Sequence, residues 1–186
     1  NKNGKEFVFA SLENNQFKLV RANIEGGRKT YITRTPIGSE DIRPDIKDNI
    51  ILCQTKINGK NQIVTLNYDG TEITLICEGY SPSWHPRENK FVFIRDGGIF
   101  EMDLDLNQAT EIYKDVDFPC YKPSYSKDGK YILFSQLTPV NTKGSMTSSL
   151  SKRIISIANS RRNIHLYLIS SDGMNKTQLT SGAVDA

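Results

Sequence analysis

The chain has 186 residues, and its 24 lysines and arginines against 21 aspartates and glutamates give a net charge of +3. Hydrophobic residues make up 37% and charged residues 24%, a composition typical of a globular domain that excludes a disordered chain. No stretch approaches the ~18 consecutive apolar residues of a membrane span, and no signal-like segment opens the chain. It starts at Asn1 instead of Met, so we expect a processed or cut chain from which a secretion signal could have been removed.

The three cysteines, Cys53, Cys77 and Cys120, are widely separated. They form no Cys-x-x-Cys pair and have no histidines at metal-ligand spacing, and an odd number leaves at least one thiol unpaired within the chain. We therefore predict small buried residues in or beside strands rather than a disulfide scaffold or a metal site.

A motif that ends in an apolar triplet recurs four times along the chain. Its copies are NKNGKEFVF (1–9), RPDIKDNIIL (43–52), SPSWHPRENKFVF (81–93) and KPSYSKDGKYILF (122–134). Alignment of the triplet ends places Phe9, Leu52, Phe93 and Phe134 in one column, with steps of 43, 41 and 41 residues. A period in this range dictates architecture, so the repeat decides the fold prediction.

Each copy continues in the same way. A second strand and a turn follow, in FKLVRANIEGG, QIVTLNYDG, GIFEMDLDLN and IHLYLISSDG, and then a short third strand, in KTYIT, TEITLI, ATEIY and KTQLT. The PSW and PSY segments supply a fourth, innermost strand. Four antiparallel strands per repeat of about 41 residues are typical of a β-propeller blade. We predict an all-β, single propeller domain over 1–186, with blades of about 1–41, 42–80, 81–121 and 122–186.

The repeat resembles that of TolB-like propellers. The fourth copy matches the pattern nearly throughout, at Pro123, Tyr125, Ser126, Asp128, Gly129, Lys130, Ile132, Phe134, Tyr167, Asp172, Gly173, Leu179 and Thr180. The third copy replaces the Asp-Gly turn by RENK, and the second has Ile46 in the aromatic column of Trp84 and Tyr125, side chains that we expect to pack between blades. The resemblance implies a non-enzymatic protein-binding scaffold that engages an envelope partner in the periplasm or elsewhere outside the cytoplasm.

Ring closure stays open at this point, because the first copy lacks an innermost strand. The chain is either a four-bladed ring completed by its C-terminal strand, a piece of a larger propeller, or a stack whose end is filled by another chain. TolB-like proteins commonly have six or more blades. Since closed folds avoid exposed strand edges, we expect this chain alone to have an open blade edge, and either to self-associate through it or to be markedly less stable than its parent.

The search for catalytic motifs finds near misses, and we predict no catalytic residue, metal site or cofactor. GYSPS (79–83) lacks the second glycine of a nucleophile elbow. DLDLNQATEIYK (103–114) starts like a calcium loop but has Gln108 and Lys114 at the required glycine and glutamate positions. His85 and His165 lie in different copies. The alternative function is an enzyme-associated propeller, either a polysaccharide lyase or the gating domain of a prolyl-oligopeptidase-like hydrolase.

One insertion, at 138–162 in the last blade, interrupts the repeat. It contains Lys143, Lys152, Arg153, Arg161 and Arg162 and no acidic residue, and without it the chain would carry a net charge of −2. It is either an exposed surface loop or a contact site for an acidic protein partner, with Lys152, Arg153, Arg161 and Arg162 as the binding residues. Because it has no aromatic residue for base stacking, we predict no nucleic-acid binding.

Overall fold

The computed structural model describes residues 5–14, 16–27, 29–32, 44–139 and 162–180. These residues form fifteen β-strands in four antiparallel sheets, with no helix among them. Blade 1 consists of β1 (Glu6–Glu13), β2 (Gln16–Asn23) and β3 (Thr30–Tyr31), and blade 2 of β4 (Asp45–Lys47), β5 (Ile50–Ile57), β6 (Lys60–Asn67) and β7 (Thr74–Glu78). Blade 3 consists of β8 (Tyr80–Trp84), β9 (Lys90–Arg95), β10 (Gly98–Asp103) and β11 (Gln108–Tyr113). Blade 4 consists of β12 (Cys120–Tyr125), β13 (Tyr131–Pro139), β14 (Arg162–Ser170) and β15 (Thr177–Gln178).

The strands of each blade pair in chain order, and β4, β8 and β12 stand first in their sheets. β8 contacts both β4 and β12, so these first strands lie side by side at the inner edge of the stack. The predicted all-β propeller of antiparallel blades is confirmed. Within the described part of the chain, no helix is long and apolar enough to cross a membrane.

Three apolar cores hold the blades together, one between each pair of neighbours. Leu19 of blade 1 packs with Ile51 and Cys53 of blade 2, whereas Leu52 lies in the next core with Phe91 and Phe93 of blade 3. The third core joins blades 3 and 4 and includes Val92, Ile94, Ile99, Ile132, Phe134, Tyr167 and Ile169. Successive residues of β5 and β9 are therefore buried on opposite faces, which is why these strands are continuous apolar runs.

We call the face of a blade that contacts the preceding blade its front face, and the face that contacts the following blade its back face. Phe93 and Phe134 lie on front faces, and Cys53 is their equivalent in blade 2. Leu52 lies on a back face, so its predicted place in the column with Phe93 and Phe134 is wrong by one residue. The apolar run of blade 2 continues to Cys53, and the pairing sets the register: Ile46 pairs with Ile51 as Trp84 pairs with Phe91, so Cys53, two residues after Ile51, is the equivalent of Phe93.

The stack of blades is not closed in the described structure. Blade 1 has three strands there, in the order β1, β2, β3, so β1 is an edge strand along its eight residues. The other three blades have a short inner strand at that position. The first copy was predicted to lack this strand, and the described residues contain none in blade 1.

The Asp-Gly turns make contact between blades as well as reversing the chain. Gly173, between β14 and β15, has φ of +83°, and a Cβ added there would lie 2.3 Å from the carbonyl oxygen of Ile112 in blade 3. The Asp172 carboxylate accepts hydrogen bonds from the Ser170 hydroxyl (2.6 Å) and the Met174 N–H (2.9 Å). Glycine is required here both by the backbone conformation and by the close approach of the neighbouring blade.

We predict that Gly173→Ala lowers the free energy of unfolding by about 1–3 kcal/mol more than Gly59→Ala does, because overpacking adds to the cost of positive φ. Gly59 is the matched control, since its φ is +80° and nothing lies within 4 Å of an added Cβ. Urea unfolding of both variants gives the comparison. Equal losses of unfolding free energy in the two variants would show that the close approach of blade 3 to Gly173 adds nothing to the cost of the substitution.

Candidate functional site

The predicted insertion extends from the hairpin of β13 and β14. Pro139 and Arg162 are the last backbone pair of this hairpin, so the connection that joins the strands is 140–161, narrower than the predicted 138–162. Lys152, Arg153 and Arg161 lie outside the described residues, as does the tip of the loop. Arg162 begins β14, and its backbone position is the one predicted binding residue that the structure describes.

The other blades use a much shorter turn at this position. Asn58 and Gly59 alone connect β5 to β6, with φ of 51° and 80°, and Asp96 and Gly97 alone connect β9 to β10, with φ of 50° and 75°. Positive φ at both central residues is characteristic of the type I′ turn that suits two-residue hairpins. The insertion therefore puts 22 residues where blades 2 and 3 need two, at the same end of the stack.

The hairpin from which the insertion extends belongs to blade 4, and its front face packs against blade 3. Its strands pair over nine residues, from Tyr131 with Ser170 to Pro139 with Arg162. Phe134 and Ile169 are 1% exposed in the core between blades 3 and 4, and Gln136 donates a hydrogen bond to the Phe118 carbonyl oxygen (2.7 Å). The insertion is therefore attached to two fully paired strands that pack against blade 3.

We call the interface between two neighbouring blades a seam. In the seam between blades 3 and 4, the ammonium group of a lysine is surrounded by aromatic rings. The Lys176 ammonium lies 4.6 Å from the ring centroid of Tyr113, 4.3 Å from that of Tyr167 and 5.7 Å from that of Phe134. It also donates hydrogen bonds to the Tyr113 hydroxyl and to Oε1 of Gln136, both 2.6 Å long. We call this arrangement the Lys176 cage. It joins blade 3 to blade 4 by charge-assisted hydrogen bonds and cation–π contacts.

The opposite end of the seam between blades 3 and 4 contains a second polar cluster. The Tyr125 hydroxyl donates a short hydrogen bond to Glu101, and Lys90 lies 3.7 Å from Glu101 and 3.1 Å from Glu88. Burial, and then the bond to Glu101, raise the pKa of Tyr125 far above its usual range. A tyrosine that stays protonated and bonded across two blades is a structural link, which fits the predicted role of the aromatic column.

Both histidines are buried in this seam. His85 is 6% exposed, its Nδ1 accepts the Glu88 N–H (2.9 Å), and its ring meets that of Tyr125 edge-on at 4.7 Å. His165 is 7% exposed in β14, with Nδ1 3.5 Å from the Thr180 hydroxyl oxygen. Neither histidine belongs to a group of three or more metal-ligating side chains among the described residues.

The calcium-like segment forms a turn. Oδ1 of Asp103 accepts the N–H groups of Asp105 and Leu106, each at 3.0 Å, and Asp105 accepts a hydrogen bond from the Asn89 amide (2.7 Å). The Asp103 carboxylate therefore stabilises the turn between β10 and β11, and the Asp105 carboxylate links this turn to Asn89.

The cysteines are unpaired thiols. Cys53 and Cys120 are 0% exposed, and burial raises the pKa of each to about 12. Cys77 is partly buried, and burial raises its pKa to about 11. Since the thiolate is the reactive form, these side chains are unsuited to nucleophilic chemistry near neutral pH.

Solved structures similar to this chain are propellers of the predicted kind. A TolB structure from Agrobacterium tumefaciens has a TM-score of 0.73 at 12% identity, covering 95% of this chain and 61% of that one. TolB from Acinetobacter baumannii has a TM-score of 0.62 at 16% identity, covering 97% and 53%. An acylaminoacyl peptidase from Pyrococcus horikoshii has a TM-score of 0.51 at 13% identity, covering 73% and 24%.

These likenesses establish a TolB-like propeller fold. Because the sequence identities are low, they support a shared fold and no shared function. The chain spans between a half and two thirds of the length of the two TolB structures. No protein-family model and no curated protein matches the sequence.

Sequence reasoning missed the Lys176 cage, because a lysine in NKTQLT looks like an ordinary turn residue. The only available signal was the column of Phe and Tyr residues on the front face of blade 4, whose rings a cation can contact.

We predict that Lys176→Met lowers the free energy of unfolding by about 3 kcal/mol or more, because two hydrogen bonds to a charged group, each contributing about 1.5–3 kcal/mol, are lost together with the cation–π contacts. Lys127→Met is the control, since Lys127 is an exposed turn residue, and it should change the value by less than about 0.5 kcal/mol. Denaturant unfolding of both variants measures the difference. A loss in the Lys176 variant no larger than in the control would show that the cage does not hold the two blades together.

Proposed function

We propose that this chain is a non-enzymatic scaffold that binds a protein partner through the insertion of its last blade. The observation that carries the proposal is the replacement of a two-residue turn by 22 residues on a packed hairpin. Surface loops held by rigid scaffolds are frequent binding elements, because their sequence can vary without disturbing the core.

The charge of the insertion indicates the kind of partner. Its cations, including Lys152, Arg153, Arg161 and Arg162, have no acidic neighbour in the segment, while the rest of the chain is slightly acidic. We infer an acidic protein surface as the partner, outside the cytoplasm, because the repeat resembles that of TolB-like proteins, which act in the cell envelope. The nucleic-acid alternative is disfavoured by the lack of aromatic residues in the segment.

The second candidate, an enzyme-associated propeller, is favoured by the similarity to an acylaminoacyl peptidase. That likeness covers 24% of the peptidase chain and concerns the fold. A full-length gene product containing a hydrolase domain would favour this candidate, and one consisting of further propeller blades would favour the scaffold.

The insertion can be removed with a defined replacement. Because Pro139 and Arg162 pair directly, residues 140–161 can be replaced by Asn-Gly, the turn that the chain itself uses at Asn58 and Gly59. We predict that this variant is at least as stable as the parent chain, and by up to about 2 kcal/mol more stable, since closure entropy changes by about 0.6 kcal/mol per doubling of loop length and the connection shortens about elevenfold. It should lose binding to a partner isolated from the host by pull-down.

Charge reversal tests the same surface without shortening the chain. Arg153→Glu with Arg161→Glu should slow association and flatten its dependence on salt, because exposed charges mainly steer encounter. The matched control reverses Arg87 and Lys127, two exposed cations at the opposite end of the blades, and should leave the rate unchanged. Association kinetics that are equal in all three proteins, or a turn-replaced variant that unfolds, would contradict the assignment of the binding residues.

A further inference from the structure

Two connections between consecutive blades lie wholly within the described residues, and they differ in length. Gly79 alone joins β7 to β8, whereas six residues, 114–119, join β11 to β12. The strands that follow are equivalent, because Trp84 pairs with Phe91 as Tyr125 pairs with Ile132, after a bulge in each inner strand. The start of a blade therefore does not require the extra residues. We call residues 114–119 the blade 3–4 loop.

Hydrogen bonds hold the blade 3–4 loop in one conformation. Oδ1 of Asp115 accepts the N–H groups of Asp117 (2.9 Å) and Phe118 (3.0 Å), and the Tyr113 hydroxyl donates to Oδ2 of Asp115 (3.3 Å). The Gln136 side chain donates to the Phe118 carbonyl oxygen (2.7 Å). An aspartate that bonds to the backbone two residues on fixes a turn. The loop therefore has little conformational freedom to lose when it binds a partner.

This ordered loop presents an apolar side chain at its tip. Val116 is 99% exposed, which is the highest value among the large apolar side chains of the described residues. Valine is branched at Cβ and is therefore stiff about χ1. A stiff apolar group on a fixed, convex turn has the shape of an anchor that enters a pocket of another molecule.

The loop lies beside the base of the insertion. The bond from Gln136 to the Phe118 carbonyl oxygen is made three residues before Pro139, the last paired residue of β13. On its other side, the loop ends where the Cys120 N–H donates to the Gly97 carbonyl oxygen (2.8 Å) in the turn between β9 and β10. A single partner at this end of the stack can therefore contact both the loop and the insertion.

The charges around Val116 indicate which class of molecule fits the tip. Asp115 and Asp117 flank it on both sides. These carboxylates repel the phosphates of a nucleic acid or of an anionic lipid surface. A protein pocket lined by apolar side chains carries no such charge, so it is the surface that accepts the tip.

We propose that the blade 3–4 loop is a second contact element of this chain, with Val116 inserted into a small apolar pocket of the protein partner. The inference rests on the proposed scaffold function and adds a feature of the partner: an apolar pocket beside the acidic surface that faces the insertion. The two elements have different tasks. The charges of the insertion steer the encounter, and the burial of Val116 slows dissociation.

Photo-crosslinking of the whole chain in its host tests the proposal. The photoreactive residue benzoylphenylalanine replaces Val116 in one chain and Leu106 in the control chain. Leu106 is 71% exposed in the turn between β10 and β11, at the opposite end of blade 3. We expect position 116, and not position 106, to form an adduct with one protein, which mass spectrometry identifies and which is then purified.

Binding of the purified partner gives the quantitative test. Val116→Asp should weaken binding at least about tenfold, because it places a charge in an apolar pocket, whereas Leu106→Asp should leave binding unchanged. Circular dichroism that matches the wild type confirms that both variants are folded. The proposal is overturned by the absence of a protein adduct at position 116, by the same adducts at both positions, or by wild-type affinity of Val116→Asp.

The variant with Asn-Gly in place of residues 140–161 separates this proposal from that of the insertion. If this variant loses the partner and position 116 of the unshortened chain forms no adduct, the insertion binds alone and the role of the loop is wrong. If the variant keeps both the adduct at position 116 and the affinity for the partner, the role of the loop is supported and the assignment of the insertion is wrong.

Discussion

The packing of the front face of each blade against the back face of the preceding blade is the interaction on which the rest of this structure depends. A blade of three or four short strands has two apolar faces and no core of its own. It buries them only between neighbours, and complete burial of a Leu or Phe side chain stabilises by about 1.5–3 kcal/mol. The 0% exposure of Leu52, Phe91, Phe93 and Ile94 shows how completely the neighbouring blades achieve this.

Polar side chains strengthen the same seams in a repeated way. Lys47 of blade 2 lies over the ring of Trp84 in blade 3, with Nζ 5.3 Å from the centroid, and His85 occupies the equivalent position against Tyr125 in blade 4. Asp45 accepts the backbone N–H of Trp84 at 2.8 Å. Directional contacts of this kind fix how one blade is oriented on the next, which apolar packing alone does not do.

Firm seams leave the hairpin turns free to differ. The turns at Asn58 and Asp96 have two residues each, and the hairpin of blade 4 carries a long basic segment at the same place without loss of pairing in its strands. This separation between a stable stack and a variable end is what makes a scaffold function reasonable. It also explains why the candidate binding residues are found where the repeat is interrupted, and not in the repeat itself.

Much of the fold could be predicted from the sequence, because each blade repeats a pattern of strands and turns. The pattern did not give the register of blade 2: the apolar run continues through Cys53, so Cys53 and not Leu52 is the equivalent of Phe93, and only the pairing between strands determines this. The Lys176 cage was unpredictable for a similar reason, since its members come from β11, β13, β14 and a turn. The charge of the insertion could be read directly from the sequence, whereas residues 140–161 lie outside the described structure.

Hydroxyl-radical footprinting of dilute, monomeric protein measures side-chain exposure directly and tests whether the blades form an open stack. We predict that Phe7 and Leu166 are oxidised readily, at 48% and 40% exposure, while their equivalents inside the stack, Phe91 and Ile99 among them, are protected. Protection of Phe7 and Leu166 equal to that of Phe91 in the monomer would show that the two end faces meet within one chain. The open arrangement described here would then be wrong.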